Sequence, residues 1–265
     1  MGETKGLYVE ALIRADMDDL WERTQNPVEH ARWDLRFGEI DYLPKAEGEP
    51  QHFRYATRPL PFLTIAGTGI SAGEKRRPDG SRTSALRFSS PHPLSLLKEG
   101  SGYWRYVPEE GGVRFITGYD YTPRWGRFGK AADRLVFRPL MGWATAWSFD
   151  RLRLWLEEGI TPRWSLAHWL TEMLLRALLL LAVLGLFVVM ALQPLLMGLL
   201  ALVHGEFSYG LIPLFLVIGG LPAAITLLLL KAPPLPFTPA ARRCGRTPRA
   251  EARAPRLLRT LDQEN

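Results

Sequence analysis

The sequence predicts an α+β protein, a curved antiparallel sheet closed by a long C-terminal helix, followed by two membrane-spanning helices. Three observations carry that expectation. Segments rich in aromatic and β-branched residues follow one another between turn clusters, and a helical period takes over from about Phe128. Two runs without a formal charge, Ala177 to Val203 (27 residues) and Phe207 to Leu230 (24 residues), stand near the end of the chain. About 20 apolar residues rising ~1.5 Å each cross the ~30 Å hydrocarbon layer, so each run is long enough to span it.

Taken in order, Leu7 to Arg14 reads as the first strand, with Leu7, Val9, Ala11 and Ile13 alternating against Tyr8, Glu10, Leu12 and Arg14. Asp16 is a natural N-cap for a helix to Gln25 that carries Met17, Leu20, Trp21 and Thr24 at helical spacing. Asn26-Pro27 breaks that helix and starts a second short one through His30 to Trp33. Six strands follow: Phe37 to Leu43, His52 to Thr57, Leu63 to Ser71, Thr83 to Ser89, Gly102 to Val107 and Val113 to Thr122. Their clearest turns are Lys45 to Pro50, Arg76 to Ser81 and Pro108 to Gly112, with Asp79-Gly80 a hairpin signal. From Phe128 to Glu158 the residues Val136, Leu140, Trp143, Ala144 and Trp147 recur at helical spacing before Leu152, Leu154, Trp155 and Leu156. Pro139 either starts the main part of this helix or kinks it, and Gly159 and Pro162 end it.

One strand, two short helices, six strands and a long helix make an order that resembles the START-like superfamily, also called SRPBCC or Bet v 1-like helix-grip domains, over about residues 5 to 158. Trp21, Pro27 and Trp33 within "DMDDLWERTQNPVEHARW" match that family's habit. "LPKAEG" and "YWRYVPEEGGVRFITGYDY" look like its polyketide cyclase/dehydrase branch. The resemblance implies a space between sheet and helix that in relatives takes lipids, sterols, polyketides or other apolar molecules. Tyr55, Arg87, Arg105, Tyr119 and Asp120 are then available to orient a ligand. Trp143 and Trp147, one helical turn apart, are expected to face the ligand from the closing helix. Packing in the core is the commoner fate of any single aromatic. Relatives with this topology also do acid/base chemistry, so a cyclase- or hydratase-type enzyme is one alternative, and a partner-binding module with a filled interior is another.

Other motifs point to little chemistry. Gly69-Ile70-Ser71-Ala72-Gly73 satisfies G-x-S-x-G, but a nucleophile elbow joins a strand to a helix, whereas Glu74 to Gly80 is a charged turn leading to another strand. Gly67-Thr68-Gly69 lacks a third glycine and a following helix, and marks close backbone packing or a bulge. His30, His52, His92, His168 and His204 show no ligand spacing, so no metal or other cofactor is called for. Asp120 with Arg105 or Arg114 reads as a cross-strand surface ion pair. Cys244, the one cysteine, excludes an intramolecular disulfide.

Charge places the parts. Residues 1–170 hold 24 Lys/Arg and 22 Asp/Glu, so a nucleic-acid partner is disfavoured. The net charge of +6 resides mainly in the tail from Lys231, with eight Lys/Arg against three Asp/Glu. No apolar signal segment opens the chain, and the turn His204-Gly205-Glu206 between the runs has neither Lys nor Arg. The positive-inside rule therefore sets the soluble domain and both termini in the cytoplasm. The expected organisation is a soluble domain (1–158), a juxtamembrane linker (159–172), a two-span hairpin (173–231) and a basic, Pro- and Arg-rich disordered tail (232–265). Trp164 and Trp169 suit the headgroup layer, and the tail is drawn to anionic lipid. The expected partners are thus the bilayer, anionic headgroups and an apolar small molecule or lipid.

Overall fold

The computed structural model describes residues 6–60, 62–204 and 222–248. The chain divides into two compact units, one of Met1–Ser165 with Pro239–Asn265 and one of Leu166–Thr238.

In the first unit, strand β1 (Leu7–Ile13) leads to helices α1 (Met17–Gln25) and α2 (Pro27–Trp33). Asn26 makes that boundary: Pro27 cannot continue α1, and Asn26 Oδ1 accepts from Val28 N at 3.0 Å, capping α2. Strands β2 (Glu39–Tyr42), β3 (Gln51–Leu60), β4 (Leu63–Arg76), β5 (Arg82–Ser89), β6 (Leu97–Glu109) and β7 (Gly112–Pro123) follow. All pairings are antiparallel, and the seven strands run in the order β1-β7-β6-β5-β4-β3-β2. β1 reaches across to β7 while the rest is a meander, the arrangement of a sheet wrapped around a closing helix. The Asp79-Gly80 turn forms as expected, with Gly80 at φ 78° and Ser81 N donating to Asp79 Oδ1 at 2.9 Å.

Helix α3 (Gly126–Ala132) runs through a π-helical turn, Asp133–Phe137, into α4 (Arg138–Glu158). Arg138 N donates to Asp133 O, five residues back. Pro139 lies in the first turn of α4, directly after the π-helical turn, so the main part of the helix starts with it while the chain before it is already helical. Gly159 at φ 67° stops it. Together the sheet and α4 match the helix-grip fold. Trp33, Phe115, Leu20, Val9 and Ile13 are fully buried together with Phe149 and Leu152 of α4, and Phe149 stacks on Phe115 at 4.4 Å. A smaller cluster of Tyr8, Ala85, Tyr103 and Ile116 lies on the opposite face of the sheet.

The expectation of a disordered tail does not carry over to residues 239–248. Ala240, Ala241 and Cys244 are buried, and a short 3-10 turn spans Ala241–Arg243. Asp150 Oδ2 on α4 accepts from Ala240 N at 2.7 Å and Arg243 Nη1 at 2.8 Å, and the Cys244 thiol donates to Ala146 O at 3.2 Å. Glu10 and Gly245 exchange backbone bonds of 2.9 Å each, which satisfies part of the open edge of β1. The composition of this segment hid the docking, because its contacts are backbone groups, alanines and one Arg rather than a run of large apolar residues. Residues 249–265, with Leu257, Leu258 and Leu261, lie outside the described residues.

In the second unit, α5 (Pro162–His204) contributes the long helix. Helix begins at Pro162, so of the expected linker only Gly159 to Thr161 is non-helical. Among the described residues one helix is long and apolar enough to cross a membrane, over Pro162–Met190, and its Leu174, Leu178, Leu181 and Leu184 are exposed. Of the second expected span, residues 205–221 lie outside the described residues, and a shorter apolar helix, α6, covers Pro222–Lys231. Arg176 donates to Leu229 O at 2.8 Å and Ala232 O at 3.2 Å, and Glu172 accepts from Leu235 N at 3.1 Å. The end of α6 therefore lies beside the first turns of α5.

Candidate functional site

Residues directly opposite in an antiparallel pair share a face of the sheet, so the registers sort the candidate side chains. Tyr119 stands opposite Gly102 and Gly102 opposite Leu86, while Phe88 stands opposite Gly69 and Gly69 opposite Phe53. These residues face α4. Asp120, Ser101, Arg87, Ile70 and His52 form a cross-strand row of the other parity and line, with Glu99 and Thr68, an open groove of about 860 Å³ on the outer face. Arg105 has that outer parity too, with its guanidinium 5.6 Å from the Tyr103 ring.

The seven candidates are thus not brought together. Tyr55 and Tyr119 are on the inner face, and Arg87, Arg105 and Asp120 are on the outer one. Asp120 pairs with Arg138 at 3.4 Å, not with Arg105 or Arg114, and Arg114 pairs with Glu109 and, at 3.5 Å, with Glu10. Trp143 and Trp147 stack on each other at 6.1 Å. They point away from the sheet: Thr145 and Phe149 reach β7, and Trp147 is two residues from either, about 200° around the helix. Arg151 covers the Trp147 ring at 5.3 Å and donates through Nε to Pro162 O at 2.9 Å, so this side of α4 faces the turn after it.

The inner face has two halves. Beneath α4 it is filled by Trp33, Trp104, Phe115 and Phe149. Across β3 to β6 it is an aromatic floor. Tyr55 lies over Gly67 and Phe53 over Gly69, so close that a Cβ at either glycine would meet the ring at 2.3 or 2.2 Å, and Phe88 lies over Gly100 in the same way. This is the close packing expected of Gly67-Thr68-Gly69. Ile40, Phe53 and Tyr55 are buried, whereas Phe37, Leu86 and Phe88 packed against them are only partly so. Tyr55 donates to Ser89 O at 3.2 Å, and burial pushes its hydroxyl up to about 12.

Two ion-pair clusters border this floor. Arg36 binds Asp34 through Nε and Nη2 at 2.9 and 2.6 Å, and His30 Nε2 lies 3.0 Å from the same carboxylate. Burial opposes the charge on Asp34, but the adjacent Arg36 guanidinium and the bonds from His30 and Arg36 outweigh it and hold the carboxyl well below its usual range. Burial pulls His30 down despite Asp34, which keeps the imidazole neutral. Arg36 also lies 5.3 Å from the Tyr119 ring, and the Tyr119 hydroxyl meets Thr145 Oγ1 at 2.9 Å. In the second cluster Tyr121 donates to Asp133 at 2.5 Å and Arg138 Nε to Asp133 at 3.1 Å. Burial and the Asp133 carboxylate raise the Tyr121 hydroxyl.

Sequence reading missed Asp34 and Arg36. Their signal was His30-x-x-x-Asp34-x-Arg36 at the end of α2, an i,i+4 pair that a search for repeated histidines passes over. The buried carboxylates of the domain, Glu10, Asp34, Asp133 and Asp150, each bond an Arg or a Tyr. They are structural charges held in pairs, and the partly buried side chains packed on Phe53 and Tyr55 are the apolar Phe37, Leu86 and Phe88.

No family model matches the chain. It is 49% identical to the uncharacterized membrane protein YndG of Bacillus subtilis over 160 residues, 60% of this chain and 60% of that protein. Among solved structures it is similar to human StAR-related lipid transfer protein 5 (TM-score 0.44, 13% identity, covering 60% of this chain and 85% of that one). It is also similar to a STAR-related lipid transfer protein from Xanthomonas axonopodis (0.43, 20%, 56% and 84%). A third likeness is the Zhui aromatase/cyclase from Streptomyces sp. R1128 (0.37, 13%, 56% and 95%). All three scores are below 0.5, and the helix-grip architecture stands on the strand order and closing helix described above.

Proposed function

We propose that this chain is a membrane-anchored helix-grip domain that binds an apolar, lipid-like molecule on the open half of its inner face, on the cytoplasmic side of the bilayer. The observation that carries the reading is the aromatic floor of Phe37, Leu86 and Phe88, left partly exposed over buried Phe53 and Tyr55. Exposed apolar surface on a concave wall gains free energy by taking an apolar occupant. Anchoring is supported by the apolar helix within Pro162–Met190 and by the likeness to a membrane protein. Among the described residues one helix is long and apolar enough to span, and the second span of this proposal rests on the uncharged run Phe207 to Leu230 in the sequence. The basic tail supports a cytoplasmic domain.

The test uses the full chain in nanodiscs, with an environment-sensitive apolar fluorophore as probe. Leu86→Gln with Phe88→Gln lowers probe affinity by at least ~10-fold, as expected from replacing two apolar contacts, while the melting temperature moves little because both side chains are partly exposed. Probe affinity that stays at the parent value overturns the reading.

A further inference from the structure

The segment between β7 and the main body of α4 has three distinct sides. Gly129 and Asp133 turn inward, and Phe137 makes an edge contact to Tyr121 at 5.8 Å. Gly129 fits so closely under the Arg124 carbonyl that a Cβ there would lie 1.6 Å from it. Outward, Phe128 is 74% exposed, Leu135 75%, Val136 64% and Leu140 53%, with Trp125 43% exposed at the start of the segment. These positions recur at helical spacing, so the apolar residues form a stripe rather than a scatter. Arg127, Lys130 and Arg134 in the same segment are exposed as well.

Soluble surfaces seldom present four large apolar side chains at such exposure on one short segment. The charge is equally uneven. Residues 124–140 hold five Lys/Arg and one acid, Asp133, which is already committed to Arg138 and Tyr121, whereas residues 1–170 as a whole hold 24 against 22. An exposed apolar stripe flanked by cations is the chemistry of a helix lying in the headgroup layer of an anionic bilayer. A protein partner would need an apolar and acidic face of its own. Lipid is already within reach, because residues 159–161 join the domain to an apolar helix long enough to cross a membrane.

We propose that Gly126–Leu140 is an in-plane membrane contact, with Phe128, Leu135, Val136 and Leu140 in the acyl boundary and Arg127, Lys130 and Arg134 on anionic headgroups. It rests on the membrane-anchored reading, and adds a second, electrostatically controlled attachment of the domain itself. The experiment places an NBD label at Leu135→Cys in a Cys244→Ala background of the full chain, in nanodiscs of neutral or of 30% anionic lipid. Leu135 is exposed, so the label leaves the fold intact. The expected result is blue-shifted emission and lipid-quencher access in anionic nanodiscs, with protection from aqueous iodide. Arg127→Glu with Lys130→Glu and Arg134→Glu lowers the protected fraction by at least ~10-fold, and high salt acts in the same direction. A label that stays aqueous in both nanodiscs overturns the proposal, as does protection that is equal in both and accompanied by cross-linking to a second copy or a bound protein. Two controls on the same sample separate the readings. Carbonate extraction tests the anchor, and apolar-probe binding tests the inner face, so loss of the Leu135 signal with both intact fails the in-plane contact alone.

Discussion

At the scale of single residues, the Asp34–Arg36 pair and its neighbour His30 are the most demanding groups in the domain. Both charges are out of water and each depends on the other, so Asp34→Asn leaves the Arg36 charge uncompensated. The expected cost is about 3 to 5 kcal/mol, measured by urea denaturation. The pH dependence has a definite sign. Asp34 is depressed in the fold, so its contribution is present above the unfolded pKa of about 4 and is lost as pH falls below it. His30 is also depressed, because it is buried as the neutral form. The unfolded chain takes up that proton first, so stability begins to fall as pH drops below about 6.5. His30→Gln should therefore flatten the decline in melting temperature between about pH 6.5 and 4 and leave the steeper loss below it. An unchanged slope across that interval shows that His30 is not its source. Sequence reading could not sort the candidate site at this scale because it ignored strand parity. Tyr119 and Asp120 are consecutive in β7, as are Arg87 and Phe88 in β5, and consecutive strand residues point to opposite faces.

At the scale of elements the sequence was largely legible. Each of the seven strands overlaps its expected place, since alternation and turn chemistry are local signals, although β4 ends five residues later and β6 begins five residues earlier than expected. The orientation of α4 was not legible. From Ala144 to Leu152 every residue is buried, for the helix is covered on one side by the sheet and on another by residues 239–248, so no polar stripe indicates which side meets β7. Trp143 and Trp147 consequently read as ligand-facing when they point away from the sheet. The π-helical turn was also invisible, because one extra residue in a helix leaves the apolar spacing almost unchanged. The aromatic floor gives an element-scale prediction. Gly69→Val puts side-chain atoms where the Phe53 ring lies, which should cost about 1 to 3 kcal/mol and tilt Phe53 off the floor. The readouts are the urea midpoint and apolar-probe affinity, and a variant equal to the parent in both shows that the ring has room to move.

At the scale of the whole molecule, the unit that holds the sheet is discontinuous in sequence. The expected domain of residues 1–158 leaves out the segment that packs on α4 and pairs with the edge of β1. In the full chain, Ala240→Pro with Arg243→Met removes both donors to Asp150 Oδ2, leaving Arg153 as its partner. Burial pushes the Cys244 thiol up to about 12, so thiol labelling in the parent is slow twice over. The double variant should label at least ~10-fold faster under native conditions, and an equal rate shows that the segment stays docked without these bonds. Because residues 239–248 lie beyond the whole apolar stretch, they are among the last parts of the domain to leave the ribosome. Up to that moment the edge of β1 and one side of α4 remain open to proteases and chaperones. The two bonds between Glu10 and Gly245 close only after residues 162–238 have been made, so the first strand of the domain is finished by a segment that is synthesised more than 200 residues later.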